Sequence, residues 1–490
     1  MTRTRLLPIV ALLAALALVT AACGQKANVH LASTGDDSTG GGEEVASEEG
    51  EEVAIGATTE DGEVIIGVDA EGNIITAPAG SEAAKKATSG GPTRRTTTTG
   101  GGGGSTATTA PRTTSNAATG KVWGDTVVIG IHAPITGAAP LPSSFQAAAD
   151  FVKSYYNTKG NLPPGPNGKP RTLDIVILDD QYQPAVATSR CSELVKQRNA
   201  FLLIGAAGTD QIQACARYAA TVGVPYLSAG VTEKGLTKLK NYFAISMTYK
   251  AQVPYLVKYV KERFPAATAD ESKMYMVYSD TPNFGDAVAA WRAALPNAKL
   301  IKLSRVPSQP ELNAAAAKLC SEGAKLAFPL MAPKDWLFVV GGQGCDLQWS
   351  GIGVTMGVNE VAKNACPTSR EKFDGSTFFS PFPGIDRAKA MDPEFAAALG
   401  NRADTAWDDI WVALWGTTKG MVELLRRTGP QLTRAKFVST MESTTGLDTK
   451  LGPILSYSPT DHFGAEETHV LRANCNGKTA YDTADVFLKY

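Results

Sequence analysis

From Thr126 onward, short β-branched runs alternate with stretches whose apolar residues recur every three or four positions. Val127-Val128-Ile129-Gly130-Ile131 reads as a strand. Residues 143–157 follow as a helix with Phe145, Ala148, Ala149, Val152 and Tyr156 on one face. Leu173-Asp174-Ile175-Val176-Ile177-Leu178 predicts a second strand with a helix over 185–197. Phe201-Leu202-Leu203-Ile204 predicts a third with a helix over 211–222, and Val224-Pro225-Tyr226-Leu227-Ser228 a fourth. Such alternation builds a parallel sheet with helices on both faces. The rhythm then restarts. Met274-Tyr275-Met276-Val277-Tyr278, Leu300-Ile301-Lys302-Leu303 and Leu326-Ala327-Phe328-Pro329-Leu330 precede helices over 284–295, 311–321 and 333–341. One core of this kind seldom grows beyond about 250–300 residues, so the pattern predicts two doubly wound α/β lobes.

Upstream the pattern is different. Arg3 and Arg5 precede an apolar run over 6–19, which ends in Thr20-Ala21-Ala22-Cys23-Gly24. A charged start, a short apolar run and small residues at the cut describe a secretory signal. With a cysteine in the cleavage position, it resembles a bacterial lipoprotein signal, which implies that Cys23 is lipidated and becomes the new N-terminus. Residues 23–120 read as a disordered tether rich in Gly, Ser and Thr, too poor in apolar surface to offset the entropy of ordering. Within it, Val64-Ile65-Ile66 and Ile74-Ile75-Thr76 predict at most a marginal hairpin. As a flexible coil the tether would average roughly 50–60 Å end to end.

Composition narrows the function classes. Against 47 Lys and Arg stand 48 Asp and Glu, a balance that argues against a nucleic-acid partner. Beyond the signal no apolar run approaches the ~20 residues of a spanning helix, so the protein is held at a membrane by its N-terminus or not at all. Setting Cys23 aside leaves Cys191, Cys215, Cys320, Cys345, Cys366 and Cys475. An even number outside the cytoplasm predicts disulfides. Cys191 and Cys215 lie on successive predicted helices of the first lobe, and Cys320 and Cys345 at similar places in the second. Pairing these leaves Cys366–Cys475, one of the 15 connectivities that six cysteines allow.

Open α/β sheets bind ligands beyond the C-terminal ends of their strands. The loops there are His132-Ala133-Pro134-Ile135-Thr136-Gly137, Gly205-Ala206-Ala207-Gly208-Thr209-Asp210 and Ser228-Ala229-Gly230-Val231-Thr232. Their small and hydroxyl-bearing residues admit a ligand close to the backbone. Thr209 occupies a predicted helix N-cap, where exposed N–H groups favour a carboxylate.

These residues resemble the type I periplasmic binding proteins, specifically the branched-chain amino acid binding group of ABC importers. The match runs from Ile129-Gly130-Ile131-His132-Ala133-Pro134-Ile135-Thr136-Gly137 through Leu178-Asp179-Asp180 with Pro184, Ile204-Gly205, and Gly223-Val224-Pro225 with Ser228 and Thr232. It covers about 126–470 and weakens in the second lobe. The resemblance implies that the Thr209 hydroxyl, the Gly230 carbonyl and the Thr232 hydroxyl hold a ligand's polar end beside Gly208. Phe284 and Met331 would cover its apolar part. It also implies an ABC permease as partner, a monomer, and no cofactor or metal. The lobes would divide as 121–249 and 376–452 against 250–375 and 453–490, joined by a multi-crossing hinge.

The second lobe departs from the family. Phe284 keeps a family aromatic ring but loses its hydroxyl, and no acid falls at 353–355 to pair with an amino-acid ammonium; the nearest is Glu360. Asp210 would face a ligand carboxylate about 5 Å away at a cost of roughly 3 kcal/mol unless it turns outward. Enzyme signatures fail: Asn476-Gly477-Lys478-Thr479 lacks the upstream Gly of a phosphate loop, and Tyr226-Leu227-Ser228-Ala229-Gly230 has Tyr where a nucleophile elbow needs Gly. Asp179-Asp180 reads as a turn after a strand, and Trp407, Trp411 and Trp415 as core packing at helical spacing. The expected protein is an extracytoplasmic, lipid-anchored solute-binding protein delivering an amino acid or similar small polar solute to an importer. The alternatives are a ligand sensor of the same fold signalling to a membrane partner and an exported hydrolase.

Overall fold

The computed structural model describes residues 121–137, 144–229, 232–353, 359–477 and 479–490, and four short strands nearer the N-terminus. Those strands form two antiparallel pairs, Glu44–Ala46 with Glu52–Ala54 and Glu63–Val68 with Ile74–Pro78, in a unit separate from residues 111–490. The second pair falls on the segment where the sequence predicts at most a marginal hairpin. Val64 and Ile65 stand opposite Ala77 and Thr76, and Gly67 and Val68 opposite Ile75 and Ile74, with β-branched residues on both strands. The signal sequence and Cys23 lie outside the described residues.

The first sheet holds β1 (Thr126–Ala133), β2 (Thr172–Asp179), β3 (Leu202–Gly205), β4 (Tyr226–Ser228) and β5 (Tyr242–Ala244), in the order β2-β1-β3-β4-β5 and wholly parallel. Between them run α1 (Phe145–Lys159), α2 (Pro184–Lys196) and α3 (Thr209–Thr221). The buried residues of α1 are Phe145, Ala148, Ala149, Val152 and Tyr156, the face its periodicity predicts. Burying a large apolar side chain of this kind contributes about 1.5–3 kcal/mol.

After β5 the chain crosses to a second sheet. Helix α4 (Tyr249–Arg263) opens it, with the Thr248 hydroxyl accepting from the Ala251 N–H at its N-terminus. Then follow β6 (Met274–Ser279), α5 (Gly285–Ala294), β7 (Lys299–Leu303), α6 (Gln309–Ser321), β8 (Leu326–Leu330), α7 (Pro333–Gly342), β9 (Gln348–Gly351), α8 (Asn359–Phe373) and β10 (Thr377–Ser380). The chain crosses back for α9 (Ile385–Met391), α10 (Pro393–Leu399), α11 (Asp409–Thr428) and α12 (Arg434–Glu442). Phe395, Trp411, Trp415, Phe437, Leu451 and Tyr457 join the core beneath the first sheet. A third crossing brings β11 (Thr468–Ala473) and β12 (Tyr481–Leu488) into the second sheet as antiparallel strands. Its order is β7-β6-β8-β9-β10-β11-β12. Both returns fall later than the sequence reading placed them. Strand β10 pairs with β9 and β11, and residues 453–465 pack with the first lobe.

The tryptophan stripe is core. Trp407, Trp411 and Trp415 are buried, and Trp415 lies against Phe151 and Tyr156 of α1. The structure joins Cys191 to Cys215, Cys320 to Cys345 and Cys366 to Cys475. The first bond ties α2 to α3, and the other two lie in the second lobe. Among the described residues no helix is long and apolar enough to cross a membrane.

Candidate functional site

The residues that follow β3 and β4 meet those that follow β6 and β7 across the junction of the lobes. The loop after β2 is built first. Asp179 accepts hydrogen bonds from the Ile135 N–H (3.0 Å), Thr136 N–H (3.1 Å), Thr136 hydroxyl (2.6 Å) and Gln181 N–H (2.9 Å). Burial opposes ionisation there, but these donors, led by the Thr136 hydroxyl, hold its carboxyl below the ordinary range. Asp180 is fully buried; it lies 2.7 Å from His132 Nδ1, and His132 Nε2 lies 2.7 Å from the Tyr226 hydroxyl. The aspartate pair thus holds a turn, as the sequence predicts. His132 also sits near the sulfurs of Cys191 and Cys215, but these are bonded to each other and offer no thiolate.

Asp180 further accepts from the N–H of Tyr182 at 2.9 Å. Gln181 and Tyr182 have φ of 56° and 58°, a left-handed conformation that costs a non-glycine residue about 1 kcal/mol or more. The two aspartates stabilise that conformation and set the Tyr182 ring against Gly208. A Cβ on Gly208 would lie 3.1 Å from Tyr182 Cε2 and 2.2 Å from Gln211 Oε1, and its φ of 84° also requires glycine.

Gly208, not Thr209, is the N-cap of α3, which corrects the cap role read for Thr209. The reason is local: the left-handed turn at Gly208 lets the helix begin one residue early. Thr209 is buried at the first helical position, and its hydroxyl is hydrogen-bonded to the Tyr249 phenol at the start of α4. Asp210 turns toward the second lobe. It accepts from the Thr281 hydroxyl at 3.0 Å, the Asn283 side-chain amide and Arg305 Nη2 at 2.5 Å. Thr232 is fully buried, and its hydroxyl donates to Asp286 Oδ2 at 2.6 Å, beside the Glu233 N–H at 2.9 Å. Gly230 lies outside the described residues. Phe284 is buried, 6.2 Å from the Tyr249 ring. Met331 is buried in the core with Trp336 and Val339.

The sequence reading missed Tyr182, Tyr249, Asp286 and Asp335. Burial, then the neighbouring Tyr249, Asp210, Asp335 and Asp180, raises the Tyr182 pKa. Burial also raises Tyr249, opposed by the Thr209 hydroxyl. Both phenols are therefore neutral at physiological pH. Asp335 near the start of α7 is raised by burial, against the opposing charge of Lys334.

Because Thr232 carries an interlobe hydrogen bond, Thr232→Ala is expected to destabilise the unliganded protein by about 1–2 kcal/mol, Asp286 losing its shortest donor. Urea denaturation of parent and variant reads this directly. An unchanged midpoint would show that the bond contributes nothing to the ligand-free state.

The family model for periplasmic binding proteins matches residues 126–479. No curated protein matches the chain. Solved structures agree in fold at low identity. A fatty acid ABC transporter substrate-binding protein from Thermomonospora curvata is 17% identical with a TM-score of 0.61, over 75% of this chain and 93% of that one. A branched-chain amino acid ABC transporter protein from Thermus thermophilus, with bound valine, is 14% identical with a TM-score of 0.60, over 75% and 97%. A solute-binding protein from R. palustris in complex with 4-hydroxybenzoate is 14% identical with a TM-score of 0.59, over 74% and 97%.

Proposed function

The chain belongs to the periplasmic binding protein family, and from that premise we propose that it is an extracytoplasmic solute-binding lipoprotein that captures a small polar solute, an amino acid or a similar compound, between its lobes for an ABC importer. The observation that carries this reading is the pairing of side chains across the cleft. Asp210 with Thr281, Asn283 and Arg305, and Thr232 with Asp286, join the two lobes where the strand ends converge. Closure about a three-crossing hinge would bury a solute there, and a permease would recognise the closed form. Gly208, Thr209 and the Gly230 carbonyl are the first-lobe groups proposed to touch the solute. Tyr182, Tyr249 and Phe284 would wall it, and Met331 would support that wall from the core.

A thermal-shift screen of amino acids, amides, short peptides, fatty acids and aromatic acids tests the function. A binding protein is expected to gain stability with ligand concentration, about 2.7 kcal/mol at a hundredfold excess over Kd. Lack of any stabilising compound across these classes would count against solute binding.

The anchor is tested separately. Cys23→Ser is expected to release the protein into the medium or to block processing of the signal. A variant that fractionates with membranes as the parent does would sink the lipid-anchor reading.

A further inference from the structure

The polar contacts across the cleft are reciprocal. Asp210 stands in the first turn of α3, in the first lobe. Among the described residues, the hydrogen bonds its carboxylate accepts all come from the second lobe. They come from two loops: the Thr281 hydroxyl (3.0 Å) and the Asn283 amide after β6, and Arg305 Nη2 (2.5 Å) after β7. Asp286 repeats the arrangement in the opposite sense. It stands in the first turn of α5, in the second lobe, and its Oδ2 accepts from the Thr232 hydroxyl at 2.6 Å and the Glu233 N–H at 2.9 Å, both of the first lobe.

Each lobe thus offers a carboxylate and supplies donors for the other's. A position in the first turn of a helix favours the ionised form of both acids. Hydrogen bonds to an ionised acceptor are the stronger kind. None of these residues lies on a crossing of the hinge, so the contacts last only while the lobes are together. Thr232 and Asn283 are buried, and separation would return their polar groups to water.

We propose that these two carboxylates latch the cleft shut without a solute, so that the ligand-free protein is mainly closed and a solute enters through a minor open form. The inference rests on the solute-binding reading and adds its regulation. A lobe pair held closed in advance spares the solute the free energy of closure. It also slows capture, because entry waits until Asp210 and Asp286 give up their donors. Arg305 acts on the solute only through Asp210, which makes it a positioning residue. Its side chain is half-exposed, so salt screens its share of the latch.

Pulsed electron paramagnetic resonance on the full chain, with spin labels on Lys196→Cys and Asn297→Cys, exposed and one in each lobe, reads the lobe separation with no solute present. The parent is expected to give one short distance. Arg305→Gln should raise the ratio of open to closed about two- to fivefold, and Asp210→Ala about tenfold or more. Arg305→Lys keeps the charge and should recover part of the closed form. Salt at about 1 M should move the parent in the same direction as Arg305→Gln. Arg305→Gln alters a half-exposed side chain and keeps the test decisive should Asp210→Ala fold poorly. A parent already open without solute overturns the latch. So does a parental distance in both variants, since something else then holds the lobes. Neither result touches solute binding, which the thermal-shift screen decides separately.

Discussion

Asp392→Ala is expected to cost about 3 kcal/mol or more, among the largest losses available to a single substitution in this protein. Asp392 is 1% exposed and begins α10, where it accepts from the N–H groups of Glu394 (3.0 Å) and Phe395 (3.3 Å). Its other oxygen accepts from Trp415 Nε1 and Lys419 Nζ, both at 2.8 Å. One carboxylate thus caps a helix, satisfies the indole of a fully buried tryptophan and neutralises a largely buried lysine. Alanine removes the cap at about 1 kcal/mol and strands the indole N–H at about 1–3 kcal/mol. Lys419 keeps Glu394 at 3.0 Å, which limits the electrostatic part of the loss. Asp392→Asn keeps a single acceptor oxygen, enough for the cap but not also for Trp415 and Lys419, and should recover only the cap's share, about 1 kcal/mol. Equilibrium urea unfolding measures both variants, and a loss below ~0.5 kcal/mol for alanine would show that the buried hub is not stabilising.

Removing the Cys366–Cys475 bond should destabilise by up to about 4–5 kcal/mol, more than removing either of the others. The reason is chain entropy. This bond spans a separation of 109 residues, against 24 for Cys191–Cys215 and 25 for Cys320–Cys345. The shorter loops predict about 3–4 kcal/mol each. Paired Cys→Ala variants, unfolded in guanidinium under oxidising conditions, rank the three. Should the Cys366/Cys475 pair prove the least costly, loop closure is not what the bonds contribute.

Much of the fold was legible in the sequence because it is written in local periodicity. The α1 face, the six strand-helix repeats and the core role of Trp407, Trp411 and Trp415 need only the 3.6-residue and two-residue patterns. The site was legible only in part. Strand ends flanked by Gly and Thr pointed to the loops, but the N-cap of α3 moved to Gly208 because its left-handed φ is not visible in composition. Tyr182 and Tyr249 come from different parts of the chain, and nothing short-range indicates that the first packs on Gly208 and the second bonds to Thr209. Thr232 illustrates the limit best. Its type suits a ligand-binding hydroxyl, yet its donor is taken by Asp286, a residue brought near only by the crossing of the chain between lobes. The turn back at β10 was misplaced for the same reason, since strand membership across a hinge depends on pairing partners that are distant in sequence.

The three crossings also govern the order in which the molecule can be built. The apolar face of α1 rests on Trp411 and Trp415, which follow it only after the whole parallel part of the second lobe has been made. The first lobe therefore cannot complete its core as it emerges, although domains generally fold N-terminal first during synthesis. Until α11 arrives, α1 lacks the tryptophans that cover it in the native core. The contacts that close it span long sequence distances, a topology associated with slow folding. Residues up to 465 complete the first core and β11 and β12 the second sheet, so neither lobe has all its native elements until the chain is nearly complete.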